Sequence, residues 1–229
     1  ALAAGLASAG DAVATGKAAP STGAAASAAA ATTVDVVIGY TTGFAASLGG
    51  QSQALTRLNN MVEIANQAYV NSQVDAAVRM VHAVEVNYPD NTANGATLEA
   101  LTGYRSGSGS IPVDPAFQAL RAARDQYGGD LVTLVRRFQT PENDGCGIAW
   151  LIGGGQSGID AGDAPYGYSV ASDGTDADTD GKNYFCRHET LAHELGHNMG
   201  LQHDRAAATE NGELKYGVFP YSFGYKTDA

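Results

Sequence analysis

Cationic side chains are scarce in this chain of 229 residues: 13 lysines and arginines stand against 24 aspartates and glutamates, a formal net charge of −11. Nucleic acid and anionic membrane surfaces both call for a basic footprint, so neither is expected as a partner. No uninterrupted apolar stretch approaches the roughly 18 residues of a spanning helix, and nothing in the sequence reads as crossing a bilayer. Cysteine occurs only twice, at Cys146 and Cys186, which leaves open two free core thiols or one disulfide. Neither cysteine has a histidine partner suited to a thiolate nucleophile, and no Gly-x-Ser-x-Gly is present, so covalent catalysis has no candidate residue. The glycine-rich run IGGGQSG at 152–158 lacks the Gly-Lys-Ser/Thr ending of a phosphate loop and reads as a flexible connection. What remains is 44% hydrophobic and 16% charged, the balance of a globular chain with one main domain.

Histidine is also rare, with five in the chain, yet three of them fall within HELGHNMGLQHD at 193–204. His193 and His197 are four residues apart, so on a helix they lie one turn apart on the same face and can share a metal ion. Glu194 sits beside that face, placed to act as general base on a water at the metal rather than as a ligand. Gly200 permits the left-handed exit from the helix that lets His203 return as third ligand. Three protein ligands leave a tetrahedral zinc one open position, which is the mark of a catalytic site rather than a structural one.

The string HExxHxxGxxHD, here His193, Glu194, His197, Gly200, His203 and Asp204, resembles the signature of the metzincin zinc metalloendopeptidases. The aspartate after the third histidine is similar to the reprolysin or adamalysin branch, and the resemblance implies that Asp204 supports the fold rather than the chemistry. More widely, VDVVIGYTTGFAASLGG, DLVTLVRRF, GCGIAWLIGGG and FCRHETLAHELGHNMG resemble secreted bacterial reprolysin-like proteases, the peptidyl-Asp metalloendopeptidases among them. This resemblance implies a zinc endopeptidase acting on proteins or peptides, and it favours a Cys146–Cys186 disulfide. Such a bond would close a loop of about 41 residues, remove roughly 3 to 4 kcal/mol of unfolded-chain entropy, and fit secretion. A monomer is expected. A preference for Asp after the cut would need a cation, for which Arg187, Arg205, Lys215 and Lys226 are candidates. The alternative reading is a non-catalytic zinc-binding or adhesive domain with the same fold, against which the presence of Glu194 argues. The chain departs from the family in one respect: Met61, Met80 and Met199 all precede His203, so the methionine turn below the metal is expected beyond Ala229, with the C-terminal part truncated.

Residues 1–31 hold 16 alanines and few large apolar side chains, so 1–32 read as a disordered propeptide remnant or linker, with any signal already removed, and 33–229 as the catalytic domain. Within that domain, 34–40, 77–88, 131–138, 148–152 and 166–172 read as strands and 51–74 and 114–127 as helices, the second capped by Asp114 and Pro115. The order implies an α/β fold, which the resemblance specifies as a metzincin-like twisted mixed sheet with packed helices and an active-site zinc helix. His82, on the apolar face of the second strand, reads as a packed core residue, and His188 as a surface or packing residue. The resemblance makes 166–172 the sheet edge that a bound peptide pairs with. Asp173, Asp176, Asp178 and Asp180 precede Gly181 at a spacing that begins like a calcium loop, but the twelfth position from Asp176 is Arg187. A solvated acidic turn is therefore favoured over structural calcium.

Overall fold

A computed structural model describes residues 32–225. The Ala-rich segment and Lys226 lie outside the described residues. The chain begins with β1 (Thr32–Thr41), α1 (Thr42–Leu48), α2 (Gln51–Asn71) and β2 (Ala76–Val86), then α3 (Asn94–Thr102) and the small hairpin β3 (Tyr104–Arg105) and β4 (Gly109–Ser110). It continues through α4 (Gln118–Tyr127), β5 (Leu131–Arg137), β6 (Gly147–Ala149), β7 (Tyr168–Ala177) and β8 (Asn183–Cys186) to α5 (Thr190–Asn198). Four two- or three-residue strands close the described part: β9 (Gln202–Asp204), β10 (Thr209–Glu210), β11 (Glu213–Leu214) and β12 (Phe223–Gly224).

The main sheet runs in the order β2-β1-β5-β7-β6, and β8 pairs with the far end of β7. The pairings β2·β1, β1·β5 and β5·β7 are parallel, whereas β6 and β8 run antiparallel to β7. Parallel strands covered on both faces need apolar side chains on both faces, and β1 shows why its VVIGY run is continuous rather than alternating. Val36, Ile38 and Tyr40 enter one core with Leu58, Met61, Leu191 and Leu195 of α2 and α5. Val37 enters the other, with Leu98 and Leu101 of α3, Phe117, and Leu120 of α4. The result is a helix–sheet–helix sandwich in which the putting together of α2 and α5 on one face fixes where His193 and His197 lie. Among the described residues, no helix is long and apolar enough to cross a membrane.

The mixed α/β architecture agrees with the sequence reading, and several details correct it. β7 is an interior strand between β5 and β6, so the sheet edge on this side is β6, not 166–172. Its first six residues, YSVASD, are all buried and mostly small, which suits a strand enclosed by two neighbours. The 148–152 strand shortens to Gly147–Ala149, and the Asp114 cap opens a single 3-10 turn at Pro115–Phe117 before α4 begins. Helices α1 and α3 were not expected. His82 is half-buried, stacked on the exposed Tyr127 ring at 3.8 Å, rather than enclosed in the core.

Candidate metal centre and cleft

Leu191, Leu195 and Asn198 turn one face of α5 into the protein, which leaves His193 and His197 on the opposite side. Asn198 anchors the helix by donating from Nδ2 to the Trp150 and Tyr168 carbonyls at 3.0 and 3.1 Å, tying α5 to β6–β7. The helix ends at Gly200, whose φ of +86° is left-handed and whose absent Cβ would meet Val218 Cγ1 at 2.6 Å. Leu201 N–H then returns to the Gly196 carbonyl at 2.9 Å, the turn reverses the chain, and β9 brings His203 back over the helix.

The three Nε2 atoms converge: His197 Nε2 lies 3.1 Å from that of His193 and 3.2 Å from that of His203. His197 Nδ1 is 2.8 Å from the Leu201 carbonyl, which can only accept, so Nδ1 carries the proton and the Nε2 lone pair points at its two neighbours. Lone pairs gathered this closely repel unless a cation lies among them. A tetrahedral zinc with its usual nitrogen bond lengths places ligand nitrogens about 3.3 to 3.4 Å apart, close to the separations found. Burial drives His193 down to about 4, with the His197 and His203 charges adding to the effect, and burial also lowers His197. Both rings are thereby held in the neutral form that binds metal. Among the described residues this trio is the group of metal-competent side chains that forms a cluster.

Glu194 is almost fully buried beside the trio, and burial pushes its carboxyl up to about 8. A cation at the histidines would draw that value down again. Its carboxylate faces β6: a Cβ on Gly147 would come within 2.5 Å of Glu194 Oε1. The free side of β6 borders a cleft with two lobes that meet at His193 and Glu194. One, about 460 Å³, is lined by Cys146, Phe185, Arg187, Glu189 and Thr190. The other, about 270 Å³, contains His197 and His203 and is closed by Leu151, Gln202 and Glu210.

Other residues singled out in the sequence have clear places. Cys146 and Cys186 form a disulfide that joins the start of β6 to the end of β8. Asp204 Oδ1 accepts from the Ala206 and Ala207 amides at 3.1 and 3.3 Å, fixing the turn after β9 whose Ala207 and Ala208 line the smaller lobe. Of the candidate cations, Arg187 lines the cleft, Arg205 lies over the Phe223 ring at 4.3 Å, and Lys215 pairs with Glu213 at 2.9 Å. The acidic run is dispersed rather than convergent. Asp173 pairs with Arg57 at 2.6 Å, Asp176 accepts from Thr140 N, and Asp178 and Asp180 cap their own turn. His188 Nδ1 also accepts from Arg57, at 2.6 Å. Asn198, Gly147 and the Leu201 carbonyl were not anticipated. Only Asn198, a polar residue on the apolar face of α5, offered a signal in the sequence.

A model of the reprolysin-like domains of metallopeptidase family M12B matches residues 30–226. The chain belongs to that family. A relative, the peptidyl-Asp metalloendopeptidase of Pseudomonas aeruginosa, is 34% identical over 206 residues, covering 86% of this chain. The chain spans only 30% of that relative's length. In a solved structure described as "Structure of a chaperone-substrate complex", one chain matches this reprolysin-like fold with a TM-score of 0.53 at 21% identity. The match covers 76% of this chain and 24% of that one, and it shows the fold alone.

Proposed function

We propose that this chain is a zinc-dependent endopeptidase, with His193, His197 and His203 as ligands, Glu194 as the general base, and a preference for Asp after the cut. The convergence of three imidazole Nε2 atoms, one with its tautomer fixed by a backbone carbonyl, carries the reading. When bound there, zinc supplies Lewis acidity that polarises a carbonyl and makes water acidic near neutral pH. Glu194 accepts the proton of the attacking water and delivers it to the leaving amine. Gly147 leaves room for that carboxylate, since a side chain at that position would occupy the space it uses. The unpaired side of β6 receives the substrate as an added strand, so main-chain hydrogen bonds hold it extended along the cleft. A purely structural metal site has no use for a buried carboxylate beside its ligands, which speaks against an adhesive domain without catalysis.

The name of the Pseudomonas aeruginosa relative supports the Asp preference. The disulfide is consistent with a life outside the cytoplasm, and we place the enzyme there. Casein digestion by the zinc-loaded protein, with and without a chelator, tests the activity. Cleavage that stops on chelation and resumes on zinc addition is the expected result; a metal-loaded protein that cuts nothing overturns the reading. Mapping cuts in a denatured protein mixture tests the preference, which fails if acidic residues are not enriched after the cut.

A further inference from the structure

We infer that Arg187 sets the sequence preference of the cleft by receiving the side-chain carboxylate of the substrate residue immediately after the scissile bond. The inference rests on the endopeptidase reading. Glu194 passes its proton to the leaving amine, so the chain on the amine side of the cut departs past Glu194. Beyond Glu194 and away from His197 and His203 lies the larger lobe, and Arg187 is the cation on its wall. The smaller lobe carries Glu210, which repels a substrate carboxylate.

Among the described residues, Arg187 is also the candidate cation that has no competing partner. It is exposed and takes part in none of the ion pairs among the described residues, whereas Lys215 is paired and Arg205 is stacked on an aromatic ring. Glu189 lines the same lobe but forms no ion pair with it.

The backbone of Arg187, by contrast, is held from three directions. Cys186 before it is bonded to Cys146, and His188 after it accepts from Arg57, itself clamped on the buried Asp173. The Arg187 carbonyl accepts from Thr190 N at 3.2 Å and from Thr190 Oγ1 at 2.8 Å, linking it to the first turn of α5. A fixed backbone with an unengaged guanidinium is prepared to form a two-pronged contact with a carboxylate at little ordering cost.

The test uses the zinc-loaded full chain and peptides that differ only in carrying Asp, Asn or Lys after the cut. The wild type should favour Asp over Asn by about 10- to 100-fold in kcat/KM, the range of a charge-assisted hydrogen bond. Arg187→Gln should bring the ratio near 1 through loss on the Asp peptide alone, Arg187→Lys should keep part of it, and Arg187→Glu should turn the preference towards Lys. A second readout avoids turnover: a Glu194→Gln protein should bind the Asp peptide more tightly than the Asn peptide by fluorescence anisotropy, and adding Arg187→Gln should erase the difference. A wild type without Asp preference, or an Arg187→Gln variant that keeps it or loses both peptides equally at full zinc content, overturns the inference and leaves the endopeptidase standing. A zinc-loaded wild type that cuts no peptide removes both.

Discussion

Two buried oxygens show how much the surroundings of a single residue decide. Glu194 is buried next to the proposed ligands without being one of them, so its replacement separates chemistry from metal binding. Glu194→Gln should lower kcat/KM by about 10²- to 10⁴-fold while metal content is unchanged, measured by peptide kinetics beside elemental analysis. The second oxygen is the Tyr69 hydroxyl on α2, which is buried and has no hydrogen-bond partner among the described residues. Burial pushes this phenol up to about 12. The unfolded chain releases the proton near pH 10 and the folded chain retains it to about 12, so the folded state binds more protons between those values. The contribution of Tyr69 is therefore fully present below pH 10 and is lost as the pH rises towards 12. Tyr69→Phe should remove this alkaline loss and leave the fold as stable or more so at neutral pH, since an unsatisfied polar atom disappears. Urea titrations of both proteins at pH 7 and pH 11 check it, and an unchanged pH 11 loss would contradict the assignment.

At the scale of elements, the cleft is built by short pieces that rely on cross-links. β6 is three residues long and has one strand neighbour; its ladder to β7 sets its register beside Glu194, and the disulfide at its start pins that end to β8. The bond closes a loop with a sequence separation of 40, for which the loop-closure model gives about 3 to 4 kcal/mol. Replacing both cysteines by serine should cost roughly 2 to 4 kcal/mol in denaturant unfolding and reduce peptide turnover more than metal affinity. Equal stability of the two proteins would show that the loop is already ordered without the bond. The same shortness explains what the sequence revealed. β1, α2, β2, α4 and β5 were legible because their apolar periods extend over many residues, and α5 because its histidines and glutamate keep a fixed spacing. α1 and α3 are short and rich in Thr, Ala and Gly, with little apolar rhythm to read. The edge was assigned to the segment that became β7 because resemblance alone placed it there. A three-residue strand such as GIA carries no pattern of its own, and sheet order depends on contacts far apart in sequence.

For the whole molecule, the proposed ligands come from α5 and from β9, two elements connected by the turn at Gly200, so metal binding at this site would be coupled to the fold. A metal ion that binds the folded chain alone stabilises it by mass action, about 2.7 kcal/mol at a hundredfold excess over Kd. For a domain of this size that should raise Tm by roughly 5 to 10 °C, observable by scanning calorimetry with zinc and with chelator. An unchanged Tm would mean that the three imidazoles do not share an ion. The convergence of His193, His197 and His203 was legible in the sequence because helix geometry and one glycine suffice to bring them together. The supporting atoms could not be read that way. Asn198, which fastens the helix, and the Leu201 carbonyl, which sets the His197 tautomer, act through backbone groups whose positions only the completed fold determines.

The bare backbone at Gly147 carries a cost in heredity. A glycine codon can change by single bases to alanine, serine, valine, aspartate or arginine, and each would insert atoms where the Glu194 carboxylate now sits. In a library of all single replacements, this partly exposed strand position should therefore tolerate as little as the histidines themselves, although it contributes no functional group at all.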